Sequence, residues 1–83
     1  MSKYNGWTNW ETWNVMLWVT NEEPLYRRVR SFVRCHILTE SRVQDFMLEI
    51  FPEGTPDMDG VHEMDRVNWF ELSESLQSEA ENF

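Results

Sequence analysis

The sequence predicts an all-α protein, a small single-domain bundle of about four helices spanning residues 1–83. Apolar residues recur at helical spacing in four separate stretches. Capping residues precede those stretches, and most of the glycines and prolines fall between them. A chain of 83 residues buries only about 60–65% of its unfolded surface. Five Trp, five Phe and two Tyr compensate, because each aromatic ring removes a large area from water.

The first element follows the turn-forming pair Asn5-Gly6. Thr8-Asn9-Trp10-Glu11 has the form of a capping box, in which Thr8 caps the Glu11 N–H and Glu11 reaches back. From there to about Thr20, Trp10, Trp13, Leu17 and Thr20 keep helical spacing, and Val15, Met16, Trp18 and Val19 widen the apolar surface. A helix apolar on most sides belongs at the centre of a bundle. Its β-branched and aromatic content leaves a strand as the alternative. Pro24 with Glu22 and Glu23 opens a second helix, where a missing N–H has no partner to lose and acids suit the helix dipole. Leu25, Val29, Phe32, Val33, His36 and Ile37 mark its apolar face, with Arg27, Arg30 and Arg34 opposite.

A third helix starts at Thr39 or Ser41, the latter three residues before Gln44 as in a capping box. Its stripe is Val43, Phe46, Met47 and Ile50, with Phe51 alongside, and Pro52 ends it. Residues 52–60 read as an acidic loop, with a short helical turn expected around Val61–Asp65. Asn68, three residues before Glu71, caps a last helix whose face is Trp69, Leu72, Leu76 and Ala80. Residues beyond about Gln77 are expected to fray, and residues 1–7 to form a lead-in segment.

Charge divides the chain. Residues 1–42 carry six Lys and Arg against four carboxylates; residues 43–83 carry one cation, Arg66, against eleven. The whole is −8 at neutral pH, and such asymmetry bears on partners more than on fold. Cys35 stands alone, which excludes an internal disulfide and fits a reducing compartment. No apolar run approaches the 18 residues of a membrane span, and the first residues lack the basic-then-apolar layout of a signal peptide. A soluble, cytoplasmic protein without membrane association is expected.

Catalytic and metal chemistry find little support. Asp57-Met58-Asp59-Gly60 echoes a calcium loop, but Gly60 at the sixth position puts Thr55 first and Arg66 twelfth, where a bidentate Glu is required. His62, Glu63 and Asp65 lack a second His at ligand spacing. Cys35 and His36 are adjacent, so on a helix they diverge by about 100°; Cys35 is expected beside the core and His36 at its edge. Three glycines form no phosphate loop. No enzyme activity, cofactor or metal is expected.

Tyr4-Asn5-Gly6-Trp7-Thr8-Asn9-Trp10-Glu11-Thr12-Trp13-Asn14-Val15, followed by Leu17-Trp18 and Asn21-Glu22-Glu23, is distinctive. It resembles the opening "YNGWTNYETWNVALW" of a family of small uncharacterised proteins carried by phages, archaeal viruses, plasmids and some prokaryotic genomes. Val67-Asn68-Trp69-Phe70-Glu71-Leu72 is similar to that family's "VDWxEIA" segment. Trp10 stands where the family often has Tyr, which keeps a ring and loses a hydroxyl. The resemblance implies a helical domain in a mobile-element setting and assigns no catalytic residue. The motif also has a physical reading, in which three Trp at intervals of three pack the entry of the first helix.

The functional expectation is an accessory protein that binds a host protein in the cytoplasm. An acidic DNA mimic that inhibits a restriction, CRISPR or other nucleic-acid-binding factor is the sharpest form of it. Asp57, Asp59, Glu63, Asp65, Glu71 and Glu74 are its candidate contact residues. One alternative is a nucleic-acid-binding module using Arg27, Arg28, Arg30 and Arg34. Another is a homo-oligomeric assembly protein with Trp7 or Trp18 at the contact.

Overall fold

In the computed structural model, which describes residues 6–80, four α-helices and one 3-10 helix pack on a common core. They are α1 (Trp10–Asn21), α2 (Glu23–Cys35), α3 (Glu40–Ile50), the 3-10 helix Val61–Arg66 and α4 (Trp69–Ala80). The protein is all-α. α1 packs on α2, α4 and the 3-10 helix, while α4 touches all three other α-helices. The central position predicted for α1 is therefore shared with α4, whose Leu72 and Leu76 are fully buried.

The apolar stripes fall where their spacing puts them. Val15, Met16 and Val19 from α1, Val29 and Val33 from α2, and Val43 and Met47 from α3 converge with Leu72 and Leu76. Trp7, Trp10, Trp18 and Trp69 pack against this core half-buried. A large amphipathic ring covers apolar surface while leaving an edge to solvent.

Two boundaries differ from expectation. The α1 cap is Asn9, not Thr8: its side-chain oxygen accepts from the Thr12 N–H at 3.0 Å, so no Thr8–Glu11 capping box forms. α2 ends at Cys35, and His36 leaves the helix in an extended conformation. Ile37 is consequently 78% exposed and does not join the α2 face. Cys35 is exposed as well, not beside the core. His36 is exposed at the core's edge, where it donates from Nδ1 to the Phe32 carbonyl at 2.9 Å and stacks on the Phe32 ring. Phe32 in turn stacks on Phe46 of α3 at 4.0 Å between centroids. α4 runs to Ala80, the last residue of its expected face, and residues 81–83 and 1–5 lie outside the described residues. The third helix takes the earlier of its two starts, with Thr39 accepting from the Arg42 N–H at 3.1 Å.

The connection between α3 and the 3-10 helix carries part of the core. Thr55 and Met58 are buried within the 52–60 segment, whose composition marks it as a loop, and Phe51, the C-cap of α3, is buried as well. Gly54 makes the fold of this segment possible. Its φ is +85°, and a Cβ there would lie 2.9 Å from the Gly60 carbonyl oxygen, so both the backbone angle and the close approach require glycine.

Candidate functional site

Two polar clusters fix where the carboxylates of the second half stand. The first joins the N-termini of α1 and α4. Asn9 and Asn68 each cap their own helix, Asn68 accepting from the Glu71 N–H at 3.0 Å. The third residue of each helix then reaches across to the other. Thr12 Oγ1 accepts from the Asn68 N–H at 2.8 Å, and Glu71 Oε1 accepts from the Thr8 N–H at 2.9 Å. In an ordinary capping box both bonds stay within one helix. Here the bond from cap side chain to third residue does, while the third residue's side chain bonds across the bundle. It reaches the cap N–H of Asn68 one way and the N–H of Thr8, one residue before the Asn9 cap, the other. Asn68 Nδ2 donates to Thr8 Oγ1 at 3.1 Å and Asn9 Nδ2 to the Arg66 carbonyl at 2.7 Å. Arg66 pairs at 3.5 Å with Glu11, whose side chain is largely buried.

The second cluster ties the 51–60 loop to α1. Asp57 Oδ2 accepts from Asn14 Nδ2 and from the Trp18 indole N–H, both at 2.9 Å. The Thr55 hydroxyl donates to Asn14 Oδ1. Asn14 and Thr55 are almost completely buried, so the amide of Asn14 is the polar connection between loop and helix. The Asn14 bond, then the Trp18 bond, holds the Asp57 carboxyl below its ordinary value against the opposing effect of desolvation.

These clusters sort the six candidate residues. Asp57 and Glu71 are engaged as described. Glu63 accepts from the Asp59 N–H at 2.6 Å through Oε2 and so holds the start of the 3-10 helix. Asp59, Asp65 and Glu74 are exposed, and among the described residues their carboxylates have no hydrogen bond or ion pair. They stand on the loop, the 3-10 helix and α4. Glu74 lies one turn beyond Phe70, which is 58% exposed. Capping geometry is the signal that separates the two groups: Glu71 is three residues beyond an Asn cap, a spacing visible in the sequence. The role of Asp57 depends on a contact 43 residues away along the chain, which no local pattern reveals.

Arg27 pairs with Glu23 at 3.5 Å and Arg28 with Glu49 at 3.4 Å. Such exposed pairs contribute little, about 0.3–0.5 kcal/mol for the one within α2. Arg27, Arg30 and Arg34 line a shallow surface depression with Ser31 and Cys35. Trp7 and Trp18, the candidate oligomer contacts, are half-buried. Among the described residues no three of His, Cys, Asp and Glu gather in a way that would hold a metal, and no helix is long and apolar enough to cross a membrane.

A family of unknown function, DUF7249, matches residues 1–81. The chain belongs to that family. The matched span includes both Tyr4–Val15 and Val67–Leu72, and hydrogen bonds join Thr8 and Thr12 of the first to Asn68 and Glu71 of the second. No curated protein and no solved structure matches this DUF7249 member.

One consequence concerns pH. Because the folded Asp57 carboxyl titrates lower than in the unfolded chain, its contribution is present above the unfolded value and is lost as pH falls through the folded one. Asp57→Asn is expected to remove part of the stability gained between strongly acidic and neutral pH. Urea midpoints measured from acid to neutral pH check this: the variant's profile should be flatter than the wild type's on the acid side.

Proposed function

We propose that this DUF7249 protein is a mobile-element accessory factor that binds a host protein and acts as an acidic decoy for a nucleic-acid-binding surface. The carrying observation is the charge of the second half, eleven carboxylates against one cation, with Asp59, Asp65 and Glu74 exposed and, among the described residues, without a hydrogen bond or ion pair through their carboxylates. A protein that grips phosphates with Lys and Arg meets in such a surface the same attraction, with the same sensitivity to salt. The mobile-element setting rests on the resemblance of the Tyr4–Val15 opening, and inhibition of a restriction or CRISPR factor is the role such a setting favours. Asp57, Glu63 and Glu71 support this surface indirectly, by holding the loop and two helix starts from which the free carboxylates project.

The test is capture from a host lysate, with a double-stranded DNA oligonucleotide as competitor. A nucleic-acid-binding protein retained at low salt, released at high salt and displaced by the duplex is the expected result. The triple variant Asp59→Lys, Asp65→Lys, Glu74→Lys moves the net charge from −8 by six units and removes no side-chain hydrogen bond among the described residues. It should keep the wild-type circular dichroism spectrum and lose capture by at least about tenfold, given a few screened charge contacts at about 0.5 kcal/mol or more each. Unchanged capture by a folded triple variant would remove the decoy reading.

A further inference from the structure

A groove crosses the junction of α1, α2 and the 51–60 loop. Trp18, Leu25, Ile50, Phe51, Pro52 and Pro56 line it, around a volume of about 350 Å³. A second depression, of about 220 Å³, opens beside it against Leu17 and Asn21, and Trp18 lines both. The Trp18 indole N–H is bonded to Asp57 at 2.9 Å, so this shared wall is fixed before anything binds. Glu22 borders both depressions, Glu53 the first and Asp57 the second, and among the described residues no Lys or Arg lines either. Glu22 and Glu53 are exposed, and among the described residues their carboxylates have no ion pair.

We infer that this groove docks a short basic segment of a partner protein, with an apolar side chain against Trp18 and flanking Lys or Arg against Glu22, Glu53 and Asp57. Charge complementarity selects this occupant. A nucleic acid would bring phosphates to three carboxylates. A second copy joined symmetrically would bring the same carboxylates face to face. The volume suits one or two side chains, which is the scale of an interface anchor. The inference rests on the proposed function in one respect, that the partner is basic. It adds a specific anchoring site whose lining residues differ from Asp59, Asp65 and Glu74.

The test uses the full chain labelled with nitrogen-15 and a synthetic peptide, acetyl-Lys-Arg-Lys-Leu-Phe-Lys-Arg-Lys-amide. The control peptide has Ser-Ser in place of Leu-Phe. Saturable shifts at the Trp18 indole N–H and at the amides of Leu25, Ile50 and Phe51 are expected. The control should bind at least about tenfold more weakly, the effect of losing one well-buried apolar side chain. Glu53→Lys, on an exposed loop position, should weaken the Leu-Phe peptide, and Leu25→Arg should weaken it further if its spectrum remains folded. Equal binding of both peptides with shifts centred on Asp59, Asp65 and Glu74 would overturn the groove while leaving the decoy reading intact. Concentration-dependent shifts at the groove without peptide would assign it to a second copy and also overturn the inference, as would binding of neither peptide. Loss of DNA-displaceable capture is read separately, on the triple variant, so the two proposals can fail independently.

Discussion

Asn14→Ala is expected to destabilise the protein by about 3 kcal/mol, from an unsatisfied buried hydroxyl at about 1–3 kcal/mol together with the small cavity left by the amide. Asn14 is 1% exposed and spans from α1 to the loop, accepting from Thr55 and donating to Asp57. Removing it strands the Thr55 hydroxyl, which is 2% exposed, and leaves Asp57 with the Trp18 indole alone. For a domain of this size the melting temperature should fall by about 12–24 °C. Asn14→Asp separates hydrogen bonding from packing, because it keeps the shape. The introduced carboxylate still accepts from Thr55 but cannot donate to Asp57, and two carboxylates then face each other. Its folded pKa would be raised, so its deficit should shrink as pH falls and the pair takes up a proton. Urea melts at neutral and mildly acid pH check both variants. An Asn14→Ala loss under about 1 kcal/mol, or an Asn14→Asp deficit independent of pH, would show that the loop is held by Phe51 and Met58 instead.

The same residue shows why the candidate site was only partly legible in the sequence. Helix positions follow from period and punctuation, which are local, and Val29, Val33, Val43, Met47, Leu72 and Leu76 are buried where their spacing puts them. Thr8 and Asn9 are both good caps, and the choice between them was settled by a tertiary demand: Thr8 is required by Asn68 and Glu71 across the bundle. Ile37 completes an apolar stripe on paper, yet the backbone leaves the helix at His36, so periodicity overran the true end. The acidic loop misled most. Its Pro, Gly and Asp content describes the turns correctly, but Thr55 and Met58 are core residues whose partners lie on other elements. Carboxylate count alone could not separate Asp57, Glu63 and Glu71, which hold the fold, from Asp59, Asp65 and Glu74, whose carboxylates have no partner among the described residues.

The cross-bundle bonds of Thr12 and Glu71 lead to the second large effect. Thr12→Val replaces a hydroxyl by a methyl with almost no change of shape, and it should destabilise by about 2–3 kcal/mol. Thr12 is fully buried, and its oxygen is the acceptor for the Asn68 N–H at 2.8 Å. Its hydroxyl also donates to Asn9 Oδ1 at 2.6 Å. Valine leaves the Asn68 N–H without an acceptor at the junction of two helix N-termini, where water has little access. It also weakens the α1 cap, because Asn9 retains only the Thr12 backbone donor. Thr12→Ser is the control: it keeps the hydroxyl, loses one methyl, and should lose only about 1 kcal/mol. Hydrogen exchange localises the effect. In Thr12→Val the amides of Asn68 and Glu71 should lose protection together with that of Thr8, although Thr8 lies 60 residues from Asn68 along the chain. Shared loss would follow from these bonds, because loosening the Asn68 turn also moves the Glu71 carboxylate that receives the Thr8 N–H. If serine proves as harmful as valine, and Thr8 keeps its protection in both, then methyl packing is what Thr12 supplies, and the two helix starts are stabilised separately.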